Sequence, residues 1–248
     1  MKTTNKVAII TGATSGIGKA TKELLRKHGC IVYNFDISEP DDELPGHFIY
    51  CDVRNNEQIK NAVTEVFNKE KKIDFLFANA GVHLVASMEE TSDEEFDNVT
   101  AINIRGSFYT AKYVLHYMKA KRKGSIVFMG SDQSFAGKAQ SSVYGLTKGA
   151  IAQLTKSTAI DYAAYNIRVN CVCPGTVNTP LLEKAVARFA SISKESKTEI
   201  YRSLDAMQPI GRIGKPAEIA AVVAFLLSNE NSFMTGSLVS ADGGYVCQ

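Results

Sequence analysis

A chain of 248 residues can form one large α/β domain whose core buries most of its apolar surface. Apolar content of 45% and charged content of 22% are ordinary for a globular chain, and a formal charge of only +2, with acids and bases interspersed, argues against nucleic-acid or anionic-membrane partners. The longest apolar stretch, Ile219 to Leu227, is too short to span a bilayer, and no apolar leader pattern stands before the first strand-like run.

Short apolar runs alternate with helical periodicity along the chain. Residues 7–10 read as a strand, followed by a glycine-rich turn and a helical pattern over 18–28. Strand-like runs at 31–35 and 47–51 precede a helical pattern at 57–69, and a fourth run covers 73–78. The periodicity predicts one helix over 94–119, a strand at 125–129, a helix over 143–162, and a strand at 168–173. A helix over 216–227 and a last strand at 238–240 close the series. Continuous apolar strands suit burial on both faces, so the expected fold is a single-domain, doubly wound parallel sheet of seven strands, Rossmann-like, spanning 1–248. Residues 179–208 break the rhythm as a charged helical insertion beyond the sixth strand, placed to act as a substrate lid or to stand as a solvated helical pair.

The five cysteines form no disulfide framework, and Cys171 and Cys173 are expected on one face of a strand. With His28, His47, His83 and His116 scattered, no metal site is expected, and a reducing, cytoplasmic compartment is the simplest reading.

The first strand leads into Thr11-Gly-Ala-Thr-Ser-Gly-Ile-Gly18. Gly12 permits a tight turn, Gly16 a close cofactor approach and Gly18 close helix packing, with Thr14, Ser15 and Ile17 between them at the helix N-terminus, where free N–H groups suit a pyrophosphate. Asp36 ends the second strand, where a carboxylate can accept both ribose hydroxyls and repel a 2′-phosphate; Ser15 and Ile37 stand where a compensating cation would be. The expected cofactor is therefore NAD rather than NADP, the alternative being an aspartate that only caps its turn. Asp52 and Val53, after the third strand, suit the adenine amine or an ordinary turn equally.

Tyr144 and Lys148 stand four residues apart, on one face of a helix. An ammonium beside a phenol favours the phenolate, so the phenol's pKa is expected to fall toward working pH.

The ordered set Gly12/Gly16/Gly18, Asn79-Ala80-Gly81, Asn103, Ser131, Tyr144-x-x-x-Lys148, Pro174-Gly175 and Asp242-Gly-Gly244 resembles the short-chain dehydrogenase/reductase family, in its compact form, over almost the whole chain. The resemblance implies Tyr144 as general acid or base, Lys148 as its partner and a ligand of the nicotinamide ribose, and Ser131 as the holder of the substrate oxygen. It implies Asn103 in a bent helix, anchoring a water that relays protons through Lys148. Asn79, Ala80 and Gly81 would line the middle of the cofactor; Pro174, Gly175, Thr176, Val177 and Thr179 would meet its nicotinamide and phosphate portions. It also implies a homotetramer.

The expected reaction is hydride transfer between NAD(H) and a secondary alcohol or ketone. Asp132 and Gln133, directly after Ser131, and His83, two past Gly81, are candidate substrate contacts, which points to a polyol, sugar or hydroxy acid. An acid would need a cation, with Lys184, Arg188 and Arg202 as candidates; Ser141 stands where an arginine can occur in acid-binding relatives. Alternatives are a 3-oxoacyl carrier-protein reductase, whose usual NADPH Asp36 argues against, a non-catalytic NAD(H)-sensing regulator, and, less favoured, an epimerase or dehydratase.

Overall fold

The computed structural model describes residues 3–40 and 47–247. The outermost positions of the expected 1–248 unit, Met1, Lys2 and Gln248, lie outside them. Strand β1 (Val7–Thr11) leads into helix α1 (Gly16–Lys27), then come β2 (Ile31–Asp36), β3 (His47–Tyr50), α2 (Asn56–Glu70) and β4 (Phe75–Ala78). Helix α3 (Asp93–Thr100) passes through a π-helical turn (Ala101–Gly106) into α4 (Ser107–Lys121), followed by β5 (Gly124–Met129), α5 (Ser142–Ala163) and β6 (Ile167–Pro174). Helices α6 (Pro180–Ser193), α7 (Lys197–Ala206) and α8 (Pro216–Leu227) precede β7 (Leu238–Ala241).

The seven strands form one sheet in the order β3-β2-β1-β4-β5-β6-β7, every pair parallel. Alternate residues of the buried strands feed two cores. Val7, Ile9, Phe35, Leu76 and Phe128 face α2, α4 and α5, while Ala8, Ile10, Val32, Phe77 and Val127 face α1 and α8. This double burial makes these strands read as unbroken apolar runs. Each large side chain so buried contributes roughly 1.5–3 kcal/mol. Edge strand β3 is partly exposed and lacks that pattern.

The helix expected over 94–119 is not continuous. It begins at Ser92, whose side chain accepts the Glu95 N–H in a capping box, and widens to a π turn at Ala101–Gly106. Gly106 lets this turn approach β3's exit: a Cβ there would lie 2.8 Å from Val53 Cγ2. In the segment expected as an insertion, α6 starts on the Thr179 cap with Pro180 in its first turn, and Lys194 ends it at φ 64°.

All five cysteines are free, and Cys171 and Cys173 share one face of β6 with their sulfurs 3.7 Å apart. Among the described residues no helix is long and apolar enough to cross a membrane, and no cluster of three or more His, Cys, Asp or Glu is placed to hold a metal ion.

Candidate active site

The sheet order reverses direction between β1 and β4, where a crevice opens at the carboxyl ends of the strands. A cleft of about 940 Å³ lies there, with the glycine turn and Asp36 at one end and Ser131, Tyr144 and Lys148 at the other. Its further walls come from α6 and α7.

The glycine turn is shaped for close approach of a ligand. Gly12 and Gly16 have φ of 68° and 55°, in the left-handed region that favours glycine. A Cβ on Gly12 would lie 3.0 Å from Ala80 Cα, and one on Gly18 would lie 2.2 Å from Gly12 O. Gly12, Ser15, Gly16 and Ile17 line the cleft; Gly18 does not, and is instead where α1 packs against the turn. Asn79 braces the turn from β4, donating through Nδ2 to the Thr11 and Gly12 carbonyls, both at 2.9 Å. The turn, the start of α1 and the residues after β4 therefore fit a dinucleotide, with backbone N–H groups available for its phosphates.

Asp36 does cap its turn. Its Oδ2 accepts the Thr14 N–H at 3.0 Å and its Oδ1 accepts those of Ile37 and Ser38 at 2.8 and 3.3 Å. Thr14 thus serves to join the turn to β2 and does not line the cleft, whereas Asp36 does. A carboxylate has about four acceptor positions, so these bonds leave capacity for a ribose hydroxyl. Asp52 is held by Arg54, whose Nη2 donates to Oδ2 at 2.7 Å, and both line the same end of the cleft with Val53. Nothing at the sequence level marked Arg54 except its place two residues after Asp52.

At the other end, Ser131 Oγ donates to Asp132 Oδ1 at 2.8 Å and accepts the Gln133 N–H at 3.2 Å. Lys148 is buried and donates from Nζ to the Met129 carbonyl at 2.9 Å, with Nζ 5.3 Å from the centre of the Tyr144 ring. The expected lowering of the Tyr144 pKa does not hold among the protein's own groups. Burial pushes the phenol well above its ordinary value; the Ser131 hydroxyl, which can turn its hydrogen from Asp132 to a phenolate, lowers it in part and the Asp132 charge raises it again. Burial also pushes the Lys148 ammonium down, to about 8. The cost of burying each charged form outweighs the attraction that the spacing suggested.

Asn103 sits in the π turn behind the cleft rather than on its wall. It donates both amide hydrogens, to Val82 O at 3.0 Å and Thr147 Oγ1 at 3.1 Å, and accepts the Val82 N–H at 2.9 Å. Ala80, Gly81, Pro174, Gly175, Thr176 and Val177 line the middle of the cleft, and Thr179 lies against Gly16.

The substrate candidates come together. His83 places its ring 4.3 Å from that of Tyr144, tilted by 47°, and burial holds its pKa down at about 4, so it is neutral near pH 7. Asp132 and Gln133 are buried beside Ser131, and Gln133 Oε1 has no hydrogen-bond partner. Ser141 Oγ and Gln140 Oε1, on the same wall, are also buried without partners. Two neighbours went unrecognised in the sequence: Lys138, paired with Asp132 at 2.7 Å, and Tyr245, whose ring centre lies 4.2 Å from the Lys138 ammonium.

The proposed carboxylate-binding cations of 179–208 fall elsewhere. Arg188 pairs with Glu95 of α3 at 2.7 Å, and neither it, Lys184 nor Arg202 lines the cleft. The face that α6 and α7 turn inward is largely apolar, with Leu182, Val186, Phe189, Ile200, Leu204 and Met207.

A parallel sheet with this crevice, glycine turn and Ser/Tyr/Lys group defines a nucleotide-dependent oxidoreductase, and the chain belongs to the short-chain dehydrogenase/reductase family, with relatives named as oxidoreductases and dehydrogenases that act on CH–OH groups. Residues 12–246 match the family described as enoyl-(acyl carrier protein) reductase. The chain is 37% identical to the 3-oxoacyl-[acyl-carrier-protein] reductase FabG of Thermotoga maritima, over 99% of this chain and 100% of that one. Its fold is similar to that of an NAD+-bound xylitol dehydrogenase (TM-score 0.92, 32% identity, 98% of this chain and 100% of that one). It is also similar to a 3-ketoacyl-(acyl-carrier-protein) reductase of Brucella melitensis complexed with NADH (TM-score 0.86, 27% identity, 98% of each chain).

Proposed function

We propose that this protein is an NAD(H)-dependent dehydrogenase that interconverts a secondary alcohol and a ketone on a small, neutral, hydroxylated molecule. The observation that carries the reading is the convergence of Ser131, Tyr144 and Lys148 at one end of a cleft whose other end carries the glycine turn and Asp36. The turn backbone and the start of α1 would hold the pyrophosphate, Asp36 the adenosine ribose, and Lys148 and Thr176 the nicotinamide end. When bound, the cofactor supplies the hydride chemistry, and its oxidised ring adds a positive charge to the site.

The protein's own task is to position the substrate oxygen and move one proton. Tyr144 would give a proton to the ketone oxygen or take one from the alcohol, with Ser131 beside it and Lys148 offsetting the charge of the phenolate. Asn103 would support the proton path from behind by holding Thr147 and the Val82 loop. The whole of 1–248 acts as one unit in this reading, with 179–208 as a lid.

Charge supports a neutral substrate. Lys138 is already paired with Asp132, and Arg54 with Asp52, while Glu195 adds a negative charge at the wall. Among the described residues of the wall, a carboxylate would meet no unpaired cation except Lys148. Unpartnered acceptors on Gln133 and Gln140 call for O–H donors, which a polyol or sugar supplies in number.

A 3-oxoacyl carrier-protein reductase is the second reading, favoured by the apolar inner face of α6 and α7. An NAD(H)-sensing regulator has no chemical need for all of Ser131, Tyr144 and Lys148. Exposed apolar side chains on α4 and α5, Phe108, Leu146 and Ile160, support self-association as a homotetramer.

A panel of polyols, sugars, hydroxy acids and 3-oxoacyl thioesters, each with NAD(H) and NADP(H), tests the reading. Highest kcat/KM on a neutral polyhydroxy compound with NAD is the expected result. Preference for acids or thioesters contradicts the substrate class, and NAD binding without any turnover contradicts the enzyme.

A further inference from the structure

Ser131 has one hydroxyl hydrogen, and the fold already directs it. That hydrogen goes to Asp132 Oδ1 at 2.8 Å, and one Oγ lone pair receives the Gln133 N–H at 3.2 Å. A hydroxyl offers one donor and two lone pairs, so one lone pair remains, and Tyr144, which also hydrogen-bonds the Ser131 side chain, occupies it until a substrate oxygen displaces the phenol. Asp132 is itself fixed. Its side chain is only 3% exposed, and its Oδ2 receives the Lys138 ammonium at 2.7 Å. Lys138 in turn lies 4.2 Å from the centre of the Tyr245 ring. A chain of polar contacts therefore runs from Tyr245 through Lys138 and Asp132 to the oxygen beside Tyr144.

We propose that Asp132 is a positioning residue that makes Ser131 a hydrogen-bond acceptor in the resting site, so that the site holds the alcohol more tightly than the ketone. The inference rests on the alcohol/ketone reading above. An alcohol carries an O–H that can be donated to the remaining lone pair of Ser131. A ketone oxygen has no hydrogen and would face lone pair to lone pair. To support negative charge on the reacting oxygen, Ser131 must turn its hydrogen away from Asp132, exchanging one charge-assisted bond for another. Lys138 eases that exchange by sharing the Asp132 charge.

Two substitutions act in opposite directions. In Asp132→Asn the Lys138 ammonium has only hydrogens to offer, so the amide oxygen turns to it and the amide N–H group faces Ser131. Ser131 must then accept twice, from that group and from Gln133, and its own hydrogen is released toward the substrate. In Lys138→Met the carboxylate keeps its full charge and holds the Ser131 hydrogen more tightly.

The test uses the full chain and the alcohol/ketone pair of highest kcat/KM in the panel, xylitol and xylulose being the first tried. Dissociation constants are measured in the non-reacting ternary complexes, alcohol with NADH and ketone with NAD+. Wild type is expected to favour the alcohol. Asp132→Asn should move the ratio toward the ketone by about tenfold, the worth of one hydrogen bond, and Lys138→Met should move it further toward the alcohol. Unchanged NADH affinity shows that each variant is folded. Ratios that move in the same direction in both variants, or that stay fixed while turnover falls, would mean mere structural support and overturn the proposal. Absence of turnover with every alcohol and ketone, with NADH still bound, overturns the reading beneath it.

Discussion

The Lys148 ammonium lies 5.3 Å from the centre of the Tyr144 ring, yet burial governs the ionisation of both. The phenol is pushed up and the ammonium down, so each is held toward its neutral form. This arrangement costs stability and leaves the pair responsive to any charge brought beside it.

The first prediction concerns Lys148. Its pKa falls from 10.5 to about 8 on folding, so between those values the unfolded chain binds more protons and stability rises with pH. The burial cost is fully present below about pH 8. Lys148→Met should therefore raise the melting temperature at pH 7 while lowering turnover by at least ~100-fold, the scale of acid–base assistance. Differential scanning fluorimetry from pH 7 to 10.5 should show the wild-type rise and its absence in the variant.

His83 gives the same sign in an acid window. Its pKa falls from 6.5 to about 4 on folding, so stability is complete above pH 6.5 and is lost as pH drops toward 4. Replacing His83 with Asn should flatten the acid side of the melting profile between these values. An unchanged slope would mean that another group carries it.

Asp36 caps its turn, and in the proposed reading it also selects the cofactor. Asp36→Ala should raise the KM for NAD by about tenfold, as the Thr14 N–H and the ribose lose an acceptor, while the ratio of NADP to NAD use increases. Equal kcat/KM with NAD and NADP in the wild type would contradict the cofactor assignment.

Gly18→Ala should destabilise the protein by roughly 1–3 kcal/mol and weaken NADH binding, because its Cβ would fall 2.2 Å from Gly12 O and 2.9 Å from Ala13 Cα. Gly149→Ala, in mid-α5 with nothing within 4 Å, is the control and should stabilise by about 0.5–1 kcal/mol. Urea unfolding of both variants checks the pair.

Sheet, glycine turn and the Tyr144/Lys148 spacing were legible because each leaves a local pattern, strands buried on both faces, a glycine-rich turn and fixed spacing on one helix, whereas Ser131, which lies before that helix, was singled out only through the family resemblance. The π turn was not, since widening at Ala101–Gly106 hardly disturbs apolar periodicity. Burial was not legible either, and it reverses the ionisation expected for Tyr144. Lys138 and Tyr245 meet only in the folded chain, and Arg188 is neutralised by Glu95, 93 residues away in sequence. Their absence from local pattern is why this wall of the cleft could not be read from the sequence.

The most direct measurement is steady-state turnover of Tyr144→Phe with NAD and the best alcohol of the panel, alongside its NADH affinity and melting temperature. Loss of ~100-fold or more in kcat, with binding and stability near wild type, is the predicted result. A rate close to wild type would contradict Tyr144 as the proton-transfer group.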